Sequence, residues 1–384
     1  FKVESVLKVR IQRRLVFRMM LWQKTIQPIS INKISTSGKD MKTVHHVTPT
    51  FQQHDALGQH TKELHCLVQS LNCRSCIWSS EKRRSSPARN AKRLKISDSG
   101  EDVIIYQAAT GSSVLEKVIK SNAQLIVNYH NITPATYFDQ WSPDLASELR
   151  MGRRQLAALA DRASLAIADS EYNAAELRSL GFSAVEVIPV LFKLGKKKKT
   201  NKRLEPIQSG SQWLFVGRIV PNKAQHDLIA AFAVYQKLYD QEAQLTLIGT
   251  GLAPYERAIQ ELIRELELQE SVTLLGAVTE EKKRQHFLSS DVYVSLSEHE
   301  GFGVPLVEAM HYGLPIVAYE VAAIKETLGG KGLLIDSKKP TEVATVVHEV
   351  LQDSQILNSL VNDGYQRADE LSFEVNVESY KKVL

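Results

Sequence analysis

Ser297-Glu298-His299-Glu300-Gly301-Phe302-Gly303-Val304-Pro305-Leu306-Val307-Glu308-Ala309-Met310 is the stretch on which the reading of this chain turns. Ahead of it, Asp291 to Ser297 is short and largely apolar, as a buried strand is. Behind it, Pro305 falls in the first turn of a helix, where a missing N–H costs nothing. Between the two, a glycine-bracketed turn separates Glu300 from Glu308. A strand that ends in a tight glycine turn and opens a helix presents free backbone N–H groups to a cleft, which suits a phosphate. Carboxylates beside it accept hydrogen bonds from vicinal hydroxyls. An anion seat next to polyol acceptors suggests a sugar nucleotide.

Outward from this turn, short apolar strands at Gln212–Val216, Leu245–Ile248, Val272–Leu275, Val292–Leu296, Ile316–Ala318 and Leu333–Ile335 alternate with helical segments. That alternation predicts a Rossmann-like parallel sheet, whose ligands sit at the carboxyl ends of the strands. Gly217-Arg218 follows the first of these strands and Lys223 opens the next helix. A fork donor and a point charge at a helix start fit a diphosphate. Gly249-Thr250-Gly251 and Gly276-Ala277-Val278 end the next two strands, and the backbone of Ala277 and Val278 is placed to read a nucleobase edge. No Asp-x-Asp pair occurs in the sequence, so no metal site is expected and Arg218 and Lys223 are left to neutralise a departing diphosphate.

The first half repeats the alternation with strands at Thr43–Thr48, Val103–Tyr106, Leu125–Tyr129, Leu165–Ala168 and Val185–Pro189. Helices are expected from about 58 to 70 and 142 to 160, and a Ser/Lys/Arg-rich mobile loop around a short element over 79–100. The expected organisation is an extension or amphipathic segment at 1–40, a Rossmann-like domain at 41–192, a Lys/Asn-rich linker at 193–210, a second such domain at 211–370, and a terminal helix at 371–384. The chain has 384 residues and a net charge of +5. Residues 1–205 hold 33 Lys+Arg against 18 Asp+Glu, and residues 206–384 hold 15 against 25. A basic first half can meet an anionic acceptor or a membrane surface, or be only a solvated basic face. Its cations are not interleaved with aromatics as in a nucleic-acid module, so no nucleic-acid partner is expected. No apolar run approaches the roughly 18 residues of a membrane span. Cys66, Cys73 and Cys76 suggest a reducing compartment, and Cys73-Arg-Ser-Cys76 lacks the second pair of ligands that a structural zinc needs.

Phe215-Val-Gly-Arg218 with Lys223, Leu247-Ile-Gly-Thr-Gly251, Leu275-Gly-Ala-Val278 and the Glu-x7-Glu segment occur in order at strand ends. Over about 212–352 this resembles the donor-binding domain of retaining glycosyltransferases of the family-4 type (glycosyl transferases group 1). The resemblance implies an α/β GT-B fold, two Rossmann-like domains facing a central cleft. It implies a metal-independent hexosyltransferase, without cofactor, that uses a nucleotide-diphosphate sugar and a glycan or lipid-linked acceptor. Such an enzyme would be cytoplasmic, at most peripheral on a membrane's inner face. Glu308 would bind ribose and Glu300 would lie near the donor sugar. Gly217, Arg218, Lys223, Gly301, Phe302, Gly303 and Val304 would complete the donor site. On the acceptor side the resemblance is looser. It points to His130 as a catalytic cleft residue, with Asn131 beside it, and to Gly58 and His60 after the turn Asp55-Ala56-Leu57. Only Gly58 remains of the family's Gly-Gly turn, and Val321-Ala322-Ala323 stands where the family often has glycines, so backbone contacts at both places are in doubt. A sugar-nucleotide 2-epimerase and a non-catalytic binding subunit stay open as alternatives.

Overall fold

The computed structural model describes residues 42–52, 55–81, 86–97, 101–195 and 210–384. Expectations for residues 1–40 and for most of the 193–210 linker lie outside the described residues.

The first half forms a seven-stranded parallel sheet in the order β3-β2-β1-β4-β5-β6-β7. Its strands are β1 (Thr43–Thr48), β2 (Arg74–Ser79), β3 (Arg89–Asn90), β4 (Val103–Ala108), β5 (Gln124–Tyr129), β6 (Leu165–Ala168) and β7 (Val185–Val187). The intervening helices are α1 (Ala56–Ser70), α2 (Leu115–Ile119), α3 (Pro143–Ala158) and α4 (Glu171–Ser179). Near-continuous apolar strands such as Val103-Ile-Ile-Tyr and Leu165-Ala-Ile-Ala are buried on both faces, as parallel strands between helices must be.

The second half is a six-stranded parallel sheet in the order β10-β9-β8-β11-β12-β13. It comprises β8 (Gln212–Val216), β9 (Gln244–Ile248), β10 (Val272–Gly276), β11 (Val292–Ser295), β12 (Ile316–Tyr319) and β13 (Leu333–Ile335). Its helices are α5 (Gln225–Leu238), α6 (Ala253–Glu265), α7 (Glu280–Ser289), α8 (Val304–His311), α9 (Ile324–Leu328), α10 (Pro340–Gln352) and α11 (Ser354–Glu370). The order reverses between β8 and β11. A crevice opens at such a switch point, because the following helices leave to opposite faces of the sheet. Gly217-Arg218 leaves β8 and the Glu300 turn leaves β11, so the topology alone brings them together.

One feature differs from the sequence reading. Arg74–Ser79 is a strand of the first sheet, paired in register with β1, and the CxxC motif runs into it. Cys76 packs half-buried against the core and all three cysteines are free. Over 79–100, where a loop around a short element is expected, the described residues hold β3 and a 3-10 turn at Ala91–Arg93, anchored by fully buried Ala91 and Leu94. The last helix, α12 (Phe373–Val383), returns to the first half. Its Tyr380 is fully buried, with the hydroxyl 3.4 Å from Asn128 Nδ2. Among the described residues no helix is long and apolar enough to cross a membrane.

Burial also sets an acid limit. Desolvation lowers the pKa of His46 to about 3, that of His299 to about 4, and that of His60 well below 6.5. The unfolded chain takes up these protons below about pH 6.5, whereas the folded one refuses them. The associated stability is therefore complete above that pH and is lost as pH falls through the window. Burial raises Asp169 and Glu308, which act in the opposite sense, but His46 and His60 carry the large shifts. We expect the melting temperature to fall steadily from pH 6.5 to 4.5. A thermal-unfolding series that is flat over that range contradicts this.

Candidate functional site

The turn from Leu296 to Val304 is shaped from both halves of the molecule. Gly303 caps α8 at φ 90°, a left-handed value that glycine takes without strain. Among the described residues, the N–H groups of Phe302, Gly303 and Val304 donate to no protein acceptor. A Cβ on Gly301 would lie 2.6 Å from Asn131 Cβ. Its carbonyl accepts from Ser170 Oγ at 2.8 Å and Asn173 Nδ2 at 3.2 Å, both from the first half. Ser170 also caps α4 through the Asn173 N–H. The Phe302 carbonyl accepts from Thr327 Oγ1, and the Glu300 carbonyl from the Ala323 N–H at 3.2 Å. Ala322 holds φ 48°, so the alanine turn takes a glycine-like conformation at a cost of about 1–2 kcal/mol.

Among the described residues, Lys223 pairs with Glu300, and Lys283 bridges Glu308 and Glu280. Lys223 Nζ lies 2.6 Å from Glu300 Oε1, with both side chains mostly buried. Glu308 Oε1 lies 2.7 Å from Lys283 Nζ, on α7, which in turn lies 2.9 Å from Glu280 Oε2. Burial pushes the Glu308 carboxyl up, and Lys283 pulls it back. Arg218 is exposed, and among the described residues its guanidinium has no hydrogen-bond partner. Crowding by the surrounding protein lowers its pKa and the Asp55 carboxylate raises it, but a guanidinium stays charged in either case. The loop that carries Arg218 is held by the β9 turn. A Cβ on Gly249 would sit 2.0 Å from the Gly217 carbonyl oxygen, and one on Gly251 1.7 Å from that of Ile219. Those glycines let two loops touch. Gly217 itself continues the ladder, donating to Ile248 O at 2.9 Å.

Across the cleft, His130 is held at both ring nitrogens. Nδ1 lies 2.9 Å from Asp169 Oδ2, and Nε2 2.6 Å from the Gln107 amide. With Nδ1–H donating to Asp169, Nε2 accepts, and Gln107 must turn its NH2 toward it. That orientation also gives a partner to an amide nitrogen that is otherwise buried without one. Asn131, at φ 65°, donates to Asn173 Oδ1 at 2.8 Å, and its own Oδ1 lies 2.5 Å from His299 Nε2.

His60, expected on the acceptor side, is fully buried instead of facing the cleft. Its Nδ1 accepts from the Leu191 N–H at 2.8 Å, and its Nε2 lies 2.7 Å from the Asn128 amide. The Gly58 N–H is taken by Asp55 Oδ1 at 2.7 Å, and a Cβ there would strike the Gln52 carbonyl oxygen at 1.6 Å. Packing thus accounts for both residues. Ala277 is exposed after β10, and Val278 is half-buried against the second-half core.

Three contributors escaped the sequence reading. Lys283 carries no motif. Ser170 ends a strand that could border the acceptor cleft and reads first as a helix cap, but its bond to the Gly301 carbonyl carries no sequence signal. Glu326 accepts the N–H groups of Glu171 and Tyr172 at 2.6 and 3.2 Å, so it caps α4 from the opposite half.

Known proteins resemble this chain in sequence and in fold. The family model described as glycosyl transferases group 1 matches residues 196–367. The D-inositol 3-phosphate glycosyltransferase of Geodermatophilus obscurus is 29% identical over 252 residues, which is 60% of this chain and 53% of that protein. The O-antigen chain mannosyltransferase B of Escherichia coli is 26% identical over 42% of each chain. The chain spans about half the length of the curated relatives it matches, or somewhat less. Among solved structures, sucrose-phosphate synthase from Thermosynechococcus elongatus superposes with a TM-score of 0.71 at 18% identity, covering 89% of this chain and 98% of that one. Anabaena HepE in complex with UDP-glucose gives a TM-score of 0.67 at 17% identity, covering 88% and 98%. The shared fold is the two-domain GT-B architecture.

Proposed function

From the match of residues 196–367 to the glycosyl transferases group 1 model, we propose that this chain is a retaining glycosyltransferase that moves a hexose from a nucleotide-diphosphate sugar to a hydroxyl of a glycan or lipid-linked acceptor. One observation carries the reading. The N–H groups of Phe302, Gly303 and Val304, without a protein acceptor among the described residues, open α8, the helix that bears Glu308, in the crevice where Arg218 also emerges. A diphosphate needs those donors and that cation, and a ribose diol needs the carboxylate.

In this reading Arg218 and Lys223 stabilise the charge that grows on the departing diphosphate. Two cations can do so without a bound metal, and the proposal includes metal independence. Glu300 holds the sugar hydroxyls. His130, locked by Asp169 and Gln107, presents a fixed imidazole and the Gly301 turn at the reacting face. The departing phosphate accepts the acceptor proton, so the protein's work is orientation and charge stabilisation. Nucleotide-sugar use is also in keeping with the UDP-glucose bound by the Anabaena protein. The basic first half is the side we assign to an anionic or membrane-bound acceptor.

The test is a thermal-shift panel of UDP-, GDP- and ADP-sugars. A ligand at 100 times its Kd stabilises the native state by about 2.7 kcal/mol, a shift of several degrees. No shift with any of them removes the reading.

A further inference from the structure

Glu308 is 9% exposed, deep enough that an isolated carboxylate there would hold its proton. It faces few groups that could prevent this. From α7 come Lys283, at 2.7 Å, and behind it Glu280; from β11 comes the Tyr293 phenol; from the C-cap of its own helix comes the Tyr312 phenol. Burial raises both phenols, so they stay neutral near pH 7. Lys283 is thus the cation among these neighbours, and it reaches one oxygen of the carboxylate, Oε1. Its helix starts directly after Ala277-Val278, so the lysine stands between that strand end and α8. Glu280 is 61% exposed at the side chain and ties the Lys283 ammonium from the solvent side.

We propose that Lys283 is the positioning residue of the nucleotide site: it keeps Glu308 ionised and holds Oε1, leaving Oε2 to accept both hydroxyls of a ribose. The inference rests on the reading of the cleft as a nucleotide site. A protonated carboxyl would keep one O–H as a donor and lose acceptor capacity, and a freely rotating carboxylate would not face the diol. Lys283 therefore sets the discrimination between ribose and a sugar lacking those hydroxyls, and it makes that discrimination independent of pH in the neutral range. It touches neither the diphosphate nor the transferred sugar.

The experiment is calorimetric titration of UDP, GDP and ADP, and of their 2′,3′-dideoxy counterparts, into the full chain between pH 5.5 and 8.5. In the wild type the ribose-to-dideoxyribose affinity ratio is expected to stay constant within about twofold across that range. In Lys283→Met the ratio falls about tenfold at pH 7, because the buried carboxyl without its cation holds a proton, and it recovers toward pH 8.5 as that proton leaves. Affinity for the dideoxynucleotide changes less than about twofold, and Lys283→Arg restores the ribose preference. An unchanged ratio in Lys283→Met, or an equal loss for both ligands, overturns the proposal. So does a wild-type ratio that collapses below pH 7, a result that stands even where the methionine variant does not fold. If the wild type binds no nucleoside diphosphate at any pH, it is the nucleotide reading that fails.

Discussion

Arg218→Ala leaves the fold standing and lowers turnover by two to three orders of magnitude. Removing one preorganised donor from a developing anion costs about 10²–10³ in rate. Arg218 is exposed and its guanidinium makes no hydrogen bond among the described residues, so few native interactions depend on it. The melting temperature should move by less than about 2 °C, as for most surface substitutions outside a special feature. Arg218→Lys should recover part of the rate, since an ammonium restores charge but not the planar fork. Steady-state transfer or hydrolysis of the sugar nucleotide selected by the thermal-shift panel, with parallel melting curves, decides it. Full activity in the alanine variant would remove Arg218 from the site. A collapsed melting curve would make it a structural residue.

Gly249→Ala should do the opposite, failing by unfolding. Gly249 sits at φ 137°, where side-chain-bearing residues are rarely found, and its added methyl would meet the Gly217 carbonyl oxygen at 2.0 Å. The obstacle is backbone, which no rotamer change avoids. The Gly217 N–H is tied to Ile248 O, so either β8 and β9 separate at their ends or the turn rebuilds. We expect a loss above about 3 kcal/mol, among the larger effects of single substitutions, read as denaturant midpoint or as insoluble expression. Near-wild-type stability would mean that the two loops are not pressed together as described.

These two residues also show what was legible beforehand. Arg218 was visible because strand, glycine and cation are consecutive in sequence, and local order survives folding. Strands such as Leu165–Ala168 and Gln212–Val216 were readable because burial on both faces leaves an unbroken apolar run. Arg74–Ser79 was not, because half its residues are polar and a cysteine pair drew the eye to chemistry. Gly249 suggested a turn, but its partner loop lies some thirty positions earlier. Lys283 was invisible for a related reason. It meets Glu308 only because α7 and α8 lie side by side, and neither neighbouring sequence hints at an ion pair. The burial of His60 was not legible, because a histidine in the first turns of a helix looks the same in sequence whether its nitrogens face a cleft or, as here, the Leu191 N–H and Asn128.

The 2.6 Å pair between Lys223 and Glu300 has a further consequence. With nothing bound, each charge already has its counter-ion, so that part of the crevice is electrically self-quenched. A simple anion that displaces Glu300 from Lys223 gains one charge contact and strands a mostly buried carboxylate, and breaking one side of a buried pair is unfavourable. A molecule that brings phosphate oxygens to the lysine and hydroxyls to the glutamate at the same moment compensates both. On the proposed reading, the internal pair asks for both groups at once, so a ligand in which anion and polyol are joined gains over inorganic phosphate, which satisfies only the lysine.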